Sequence, residues 1–201
     1  MKNSSMYIIK TRIEQFAFGS AFVVSDFTDI TDYENAKKCL LRLEKDSFIR
    51  RVIRGIYDKP YYSNVLKEYS SPNIEEIAKA IARNYGWEIS PLGLTALNLL
   101  GLSTQVTNYY EYYSSGPYKT YSIGKITISF KHKSSKELFN LSYKSSLVVQ
   151  AIKTIGVDID EEMINRFKNL LTAQEKERLL KEANRVTKWI YEIIKRICNE
   201  E

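Results

Sequence analysis

Thr31-Asp32-Tyr33-Glu34-Asn35-Ala36-Lys37-Lys38-Cys39-Leu40-Leu41-Arg42-Leu43-Glu44-Lys45-Asp46, followed closely by Ile49-Arg50-Arg51-Val52-Ile53-Arg54-Gly55-Ile56-Tyr57, is the segment on which the fold turns. Ala36, Leu40 and Leu43 stand at i, i+4 and i+7, the spacing of one apolar stripe on a helix. Thr31 and Glu34 have the spacing of a capping box, so the helix is expected to open there and to end near Asp46. With the stripe turned inward, at about 100° per residue, Asn35, Lys38 and Arg42 fall on the polar side, flanked by Lys37 and Lys45. Beyond Ser47, apolar residues alternate with arginines and Gly55 precedes Ile56-Tyr57, which predicts two short strands and a tight turn. A short helix, a second helix with a polar outer face and a basic hairpin make up a winged helix-turn-helix. The residue types suit DNA. Asparagine can read adenine and arginine guanine, and lysine takes phosphate or guanine. Arg50, Arg51 and Arg54 on a wing would reach the backbone or the minor groove. The same pattern also serves domains that bind only protein, so an interaction adaptor stays open beside the DNA reader.

Outward from this segment, Ile8, Ile9, Ile13 and Phe16 predict a helix that Gly19 ends. Ala21 to Val24 predicts a strand, and Ser25 a cap for a brief helix through Ile30. Residues 1–60 are thus expected to form the winged helix-turn-helix, 61–70 a linker, and 71–201 a larger α+β partner domain. Ser71-Pro72 reads as an N-cap with proline in the first turn. Glu75 and Glu76 complement the dipole of the helix they open. Pro91 begins another helix, which Gly101 closes. Tyr109 to Tyr113, Tyr118 to Ile123 and Ile126 to Phe130, separated by Ser115-Gly116-Pro117 and Gly124-Lys125, predict antiparallel hairpins. The tyrosine run suits either sheet packing or a stacking platform for bases. After Ser134 the pattern is helical, with Gly156 as a C-cap and a capping box at Thr172-Ala173-Gln174-Glu175. Leu179, Ala183, Val186, Ile190, Ile193 and Ile197 then form a heptad-like seam, predicting one long helix from Ala173 to about Ile197 that packs on its own chain. The fold class expected is α+β.

The net charge of +6 suits a polyanionic partner. His132 is the one histidine, so a histidine metal cluster or relay is unavailable. The chain has no Cys-x-x-Cys, no glycine-rich phosphate loop and no Gly-x-Ser-x-Gly. Asp158, Asp160, Glu161 and Glu162 form the densest acidic group, read as a charged entry to a helix. No catalysis, cofactor or metal is expected. Cys39, near the buried side of its helix, and Cys198 both read as reduced thiols. No stretch approaches the ~18 apolar residues of a membrane span, and no signal peptide is expected, which points to the cytoplasm. Oligomeric state is left open.

The same residues carry a resemblance. The run from Ala36 through Asp58-Lys59-Pro60, with its wing, resembles AbiEi-type antitoxins, in particular an uncharacterised branch grouped with them. The likeness continues through Ser71-Pro72, Glu76 to Arg83, Gly86-Trp87-Glu88-Ile89-Ser90-Pro91 and Ala96 to Val106. It includes Ser115-Gly116-Pro117, Ile123-Gly124 and Ile126 to His132. It spans roughly Tyr7 to Gly156, and Gly86 to Val106 is its specific part. The resemblance implies the antitoxin half of a type IV toxin–antitoxin pair linked to phage defence. Its winged helix would repress the shared promoter on double-stranded DNA. Its larger domain would counteract a nucleotidyltransferase-like toxin, by direct binding or only functionally. A stand-alone regulator without a toxin is the alternative. One departure is plain: Asp32 and Glu34 occupy the first helical turn, where readers of this kind usually carry long basic residues.

Overall fold

A computed structural model of the chain describes residues 4–134 and 141–199. The fold is α+β and divides into two compact units, Met1–Gly86 and Trp87–Glu201.

The first unit opens with helix α1 (Ser5–Gln15), capped by the Ser4 hydroxyl. Strand β1 (Ala21–Val23) follows, then a single 3-10 turn over Val24–Phe27. Helix α2 (Tyr33–Lys45) is next, and strands β2 (Arg50–Ile53) and β3 (Ile56–Asp58) form a hairpin behind it. β3 lies between β1 and β2, antiparallel to both. The expected stripe of α2 is buried, with Cys39 added to it: Ala36, Cys39, Leu40 and Leu43 meet Ile9 and Ile13 of α1 and Phe22, Phe27, Ile49 and Tyr57. Phe22 sits edge-on to Phe27 and stacked with Tyr57. The cap of α2 is Asp32 rather than Thr31: its carboxylate accepts the Asn35 N–H at 2.9 Å. A carboxylate there also meets the positive end of the helix dipole.

Residues 61–70, expected as a linker, contain a two-stranded hairpin, β4 (Tyr62–Ser63) and β5 (Glu68–Tyr69). Its Tyr62 and Tyr69 rings meet edge to face at 5.1 Å, a cross-strand pair that polar linker chemistry does not supply. Helix α3 (Ile74–Tyr85) is capped by Asn73, one residue past the proline expected to lie in its first turn, and stops at the left-handed Gly86. The apolar face of α3 packs on β1 and β3. Arg83 reaches Asp26 and the Ala21 carbonyl. α3 therefore belongs with the first unit, and the chain divides after it rather than at Ser70.

The second unit is built on β6 (Ile89–Pro91), β7 (Tyr109–Ser114), β8 (Lys119–Ile123) and β9 (Ile126–His132), in the order β6-β7-β9-β8. β8 and β9 are the expected antiparallel hairpin, but β7 runs parallel to β9 and does not pair with β8. The Ser115-Gly116-Pro117 turn explains the difference. A Cβ on Gly116 would fall 2.2 Å from the Trp87 ring, so the turn is pressed against that indole. Its amide donates to the Ser114 hydroxyl, and its carbonyl lies 2.9 Å from the His132 ring. Held there, the chain skips one strand position, and β9 fills the gap. The tyrosine strand thus packs a sheet. Tyr112 is fully buried beside Phe130, which Trp87 and Tyr121 meet edge-on.

Helices α4 (Leu94–Leu99), α5 (Tyr143–Ile155), α6 (Glu161–Leu170), α7 (Ala173–Glu182) and α8 (Lys188–Cys198) complete the unit. The capping box at Thr172 and Glu175 forms as expected, and Asp160 caps α6 through the Met163 N–H. The single long C-terminal helix does not form. It breaks at a 3-10 turn over Ala183–Arg185 and an extended Val186, and α8 restarts from Thr187. A straight helix over that span would run roughly 38 Å; breaking it lets α7 and α8 pack on each other. Leu179, Ala183, Ile190, Ile193 and Ile197 consequently share one core with Leu147, Val148, Val149 and Ile152 of α5.

Candidate nucleic-acid interface

The polar side of α2 is set by the four residues it buries. Because Cys39 joins Ala36, Leu40 and Leu43 in the core, the buried arc widens toward Asn35. That residue is half-buried, its side-chain N–H donating to the Thr31 hydroxyl at 2.9 Å. The solvent face is centred instead on Lys38, Leu41 and Lys45, at i, i+3 and i+7, with Arg42 beside them; all four are exposed. Lys37 lies 3.5 Å from Glu34, an exposed pair of little strength. Lys38, Arg42 and Lys45 have no ion-pair partner among the described residues. Tyr33, half exposed in the first turn, and Leu41 were not singled out by periodicity. An apolar residue on an otherwise polar face was the available signal for Leu41.

The hairpin separates its three arginines. Arg50 is the structural one. Its guanidinium grips both oxygens of Asp58, the Nε contact at 3.0 Å, and donates to the Ser70 carbonyl at 2.9 Å. Asp58 is fully buried, so this fork satisfies a carboxylate that has no access to water. Arg51, one residue on, points to the opposite side of the strand and is exposed. Arg54 sits at the two-residue tip with Gly55, whose φ of 82° is ordinary only for glycine. Neither Arg51 nor Arg54 has an ion-pair partner among the described residues.

Two titrating groups lie beneath this surface. Burial pushes the Cys39 thiol up, with Arg42 opposing, so the thiol stays protonated and inert. Burial, aided by Glu44 and opposed by Arg51, raises the Tyr57 hydroxyl. Among the described residues, no group of three or more His, Cys, Asp or Glu side chains could hold a metal, and no helix is long and apolar enough to cross a membrane.

The class these observations define is a two-unit α+β protein whose first unit carries unpaired cations on a helix and on the hairpin that follows it. Residues 8–179 match a family of unknown function (DUF6088), and the chain belongs to that family. A search of curated proteins finds no match. A crystal structure of the RV2827C protein from Mycobacterium tuberculosis is similar at 10% identity and a TM-score of 0.42, over 95% of this chain and 74% of that one.

Proposed function

We propose that the first unit is a winged helix-turn-helix that binds double-stranded DNA, and that the chain is a transcriptional repressor rather than an enzyme. The reading is carried by Lys38, Arg42 and Lys45 on α2 with Arg51 and Arg54 on the hairpin, five exposed cations with no acidic partner among the described residues. The element order supports it. A helix, a strand, a short turn of helix, a second helix and a hairpin, with the last strand central in the sheet, are the parts of a winged helix. In this reading α2 lies in the major groove, and Arg51 and Arg54 reach phosphate or the minor groove. The resemblance to AbiEi-type antitoxins extends the proposal. The repressed promoter is the chain's own, and the second unit counteracts a nucleotidyltransferase-like toxin.

The test is a gel-shift salt series on the full-length protein with its promoter DNA. Each phosphate contact contributes nearly one unit, ~0.9, to the slope of log affinity against log salt. Arg51→Ala with Arg54→Ala should flatten that slope by up to roughly two units on promoter and random DNA alike. Arg42→Ala should cost about 1–3 kcal/mol on the promoter and relax discrimination at one base pair. No retardation of promoter DNA at low salt by the wild-type chain would overturn the reading in favour of a protein-interaction adaptor.

A further inference from the structure

The β4–β5 ribbon of the first unit shows solvent a set of apolar side chains that the DNA reading does not use. Tyr61, Tyr62, Val65, Leu66 and Tyr69 are all exposed, five of the ten residues in 61–70. Val65 and Leu66 form the tip, at 90% and 68% exposure. Turns in water favour glycine, asparagine or aspartate at such positions. Here the Leu66 N–H donates to the Ser63 hydroxyl at 3.2 Å, and Lys67 follows at a φ of 54°, a conformation that favours glycine.

The ribbon is also incomplete as a sheet. Tyr62 faces Tyr69 and Ser63 faces Glu68, and neither strand pairs with any other among the described residues. A two-stranded ribbon is marginal in water and is stabilised by further strands or by packing on another surface. Phe18 meets Tyr61 edge-on at 5.4 Å, yet both rings stay exposed. Charge bears on what completes the ribbon. Lys67 and Glu68 are its charged residues and cancel, in a chain of net charge +6. Two copies can therefore meet here without the repulsion that their net charge imposes, whereas phosphates would find no excess of cations.

We propose that this ribbon is a dimer interface, packing against the same ribbon of a second copy of the chain about a twofold axis. A twofold contact uses one patch on both partners, so a patch that is apolar and neutral matches itself. Abundant tyrosine with few charges is the composition of an interface core. At their exposures Tyr62, Tyr69, Val65 and Leu66 offer roughly 500 Å² per copy, so two copies would bury about the 1,000 Å² that a specific interface needs. An area at that lower bound makes the dimer a reversible one. The proposal does not depend on DNA binding.

Sedimentation equilibrium of the full-length chain without DNA, over the micromolar range, tests it. The wild-type chain should show a monomer–dimer equilibrium. Val65→Lys with Leu66→Lys, at positions too exposed to carry the fold, should raise the dissociation constant about tenfold or more. Glu68→Lys sets like charges on both ribbons, so it should weaken the dimer severalfold at low salt and less at high salt. The ribbon lies in the first unit, and both tryptophans, Trp87 and Trp189, lie in the second. A denaturation midpoint read by tryptophan fluorescence should therefore not rise with protein concentration. A wild-type chain that stays monomeric would overturn the proposal and leave the ribbon to a different partner. So would a dimer that survives the Val65 and Leu66 variant, a Glu68→Lys dimer as strong as wild type at low salt, or a tryptophan midpoint that rises with concentration.

Discussion

Three arginines that look equivalent in Arg50-Arg51-Val52-Ile53-Arg54 are not equivalent in the fold. Arg50 neutralises a carboxylate with no exposed surface, while Arg51 and Arg54 stand in solvent. Arg50→Ala would leave Asp58 buried and unpaired, which costs roughly 3 kcal/mol or more. Urea denaturation should therefore show a large loss of stability for Arg50→Ala and a loss within about 0.5 kcal/mol for Arg51→Ala or Arg54→Ala. Equal stabilities for all three variants would mean that the Arg50–Asp58 fork does not persist in solution. The comparison also guards the DNA experiment, since weak binding by Arg50→Ala would report unfolding as readily as a lost contact.

Among the elements, the C-terminal seam teaches most. Its spacing continues through Ala183 and Val186 as though one helix ran from Ala173 to Ile197, yet the backbone breaks between them. Both halves keep their apolar faces buried because α8 turns back onto α7 and shares the core with α5 and α6. Ile194 is fully buried in α8, whereas Trp189 is only half-buried on the edge of the same core. Ile194→Ala should thus cost about 2–5 kcal/mol, the range for emptying a core site. Trp189→Ala should fall below the 3–5 kcal/mol of a fully buried aromatic. Chemical denaturation at several protein concentrations checks both. A midpoint that rises with concentration would show the seam to be an interface between chains.

At the scale of the whole molecule, the division after Gly86 decides how the chain can be cut. Helix α3 buries Ile77, Ala78 and Ile81, with β1 and β3 as its neighbours in the first unit. A fragment starting at Ser71 would keep α3 and lose the strands that cover it. A fragment starting at Trp87 keeps its own core intact. Residues 87–201 should accordingly fold and remain dispersed, and residues 71–201 should expose an apolar helix face and aggregate. In a co-expression growth assay, the 87–201 fragment should rescue cells from the cognate nucleotidyltransferase-like toxin at least in part while failing to bind promoter DNA. A folded 87–201 fragment that gives no rescue would show that the first unit takes part in neutralisation.

Periodicity and capping chemistry determined by themselves most of what is local. The buried stripe of α2, the hairpin at Arg54-Gly55, the caps at Thr172 and Gly156 and the strands from Tyr109 onward were legible because each depends on residues a few positions apart. Tertiary structure alone decided the rest. Whether Arg50 faces solvent depends on Asp58 lying across the hairpin. The parallel pairing of β7 with β9 follows from Gly116 lodging against Trp87, a contact between residues far apart in the chain. The seam of the last helices reads the same whether the backbone is continuous or broken. An apolar spacing records which residues must be buried; where the chain turns to bury them is set by the surfaces available to receive them.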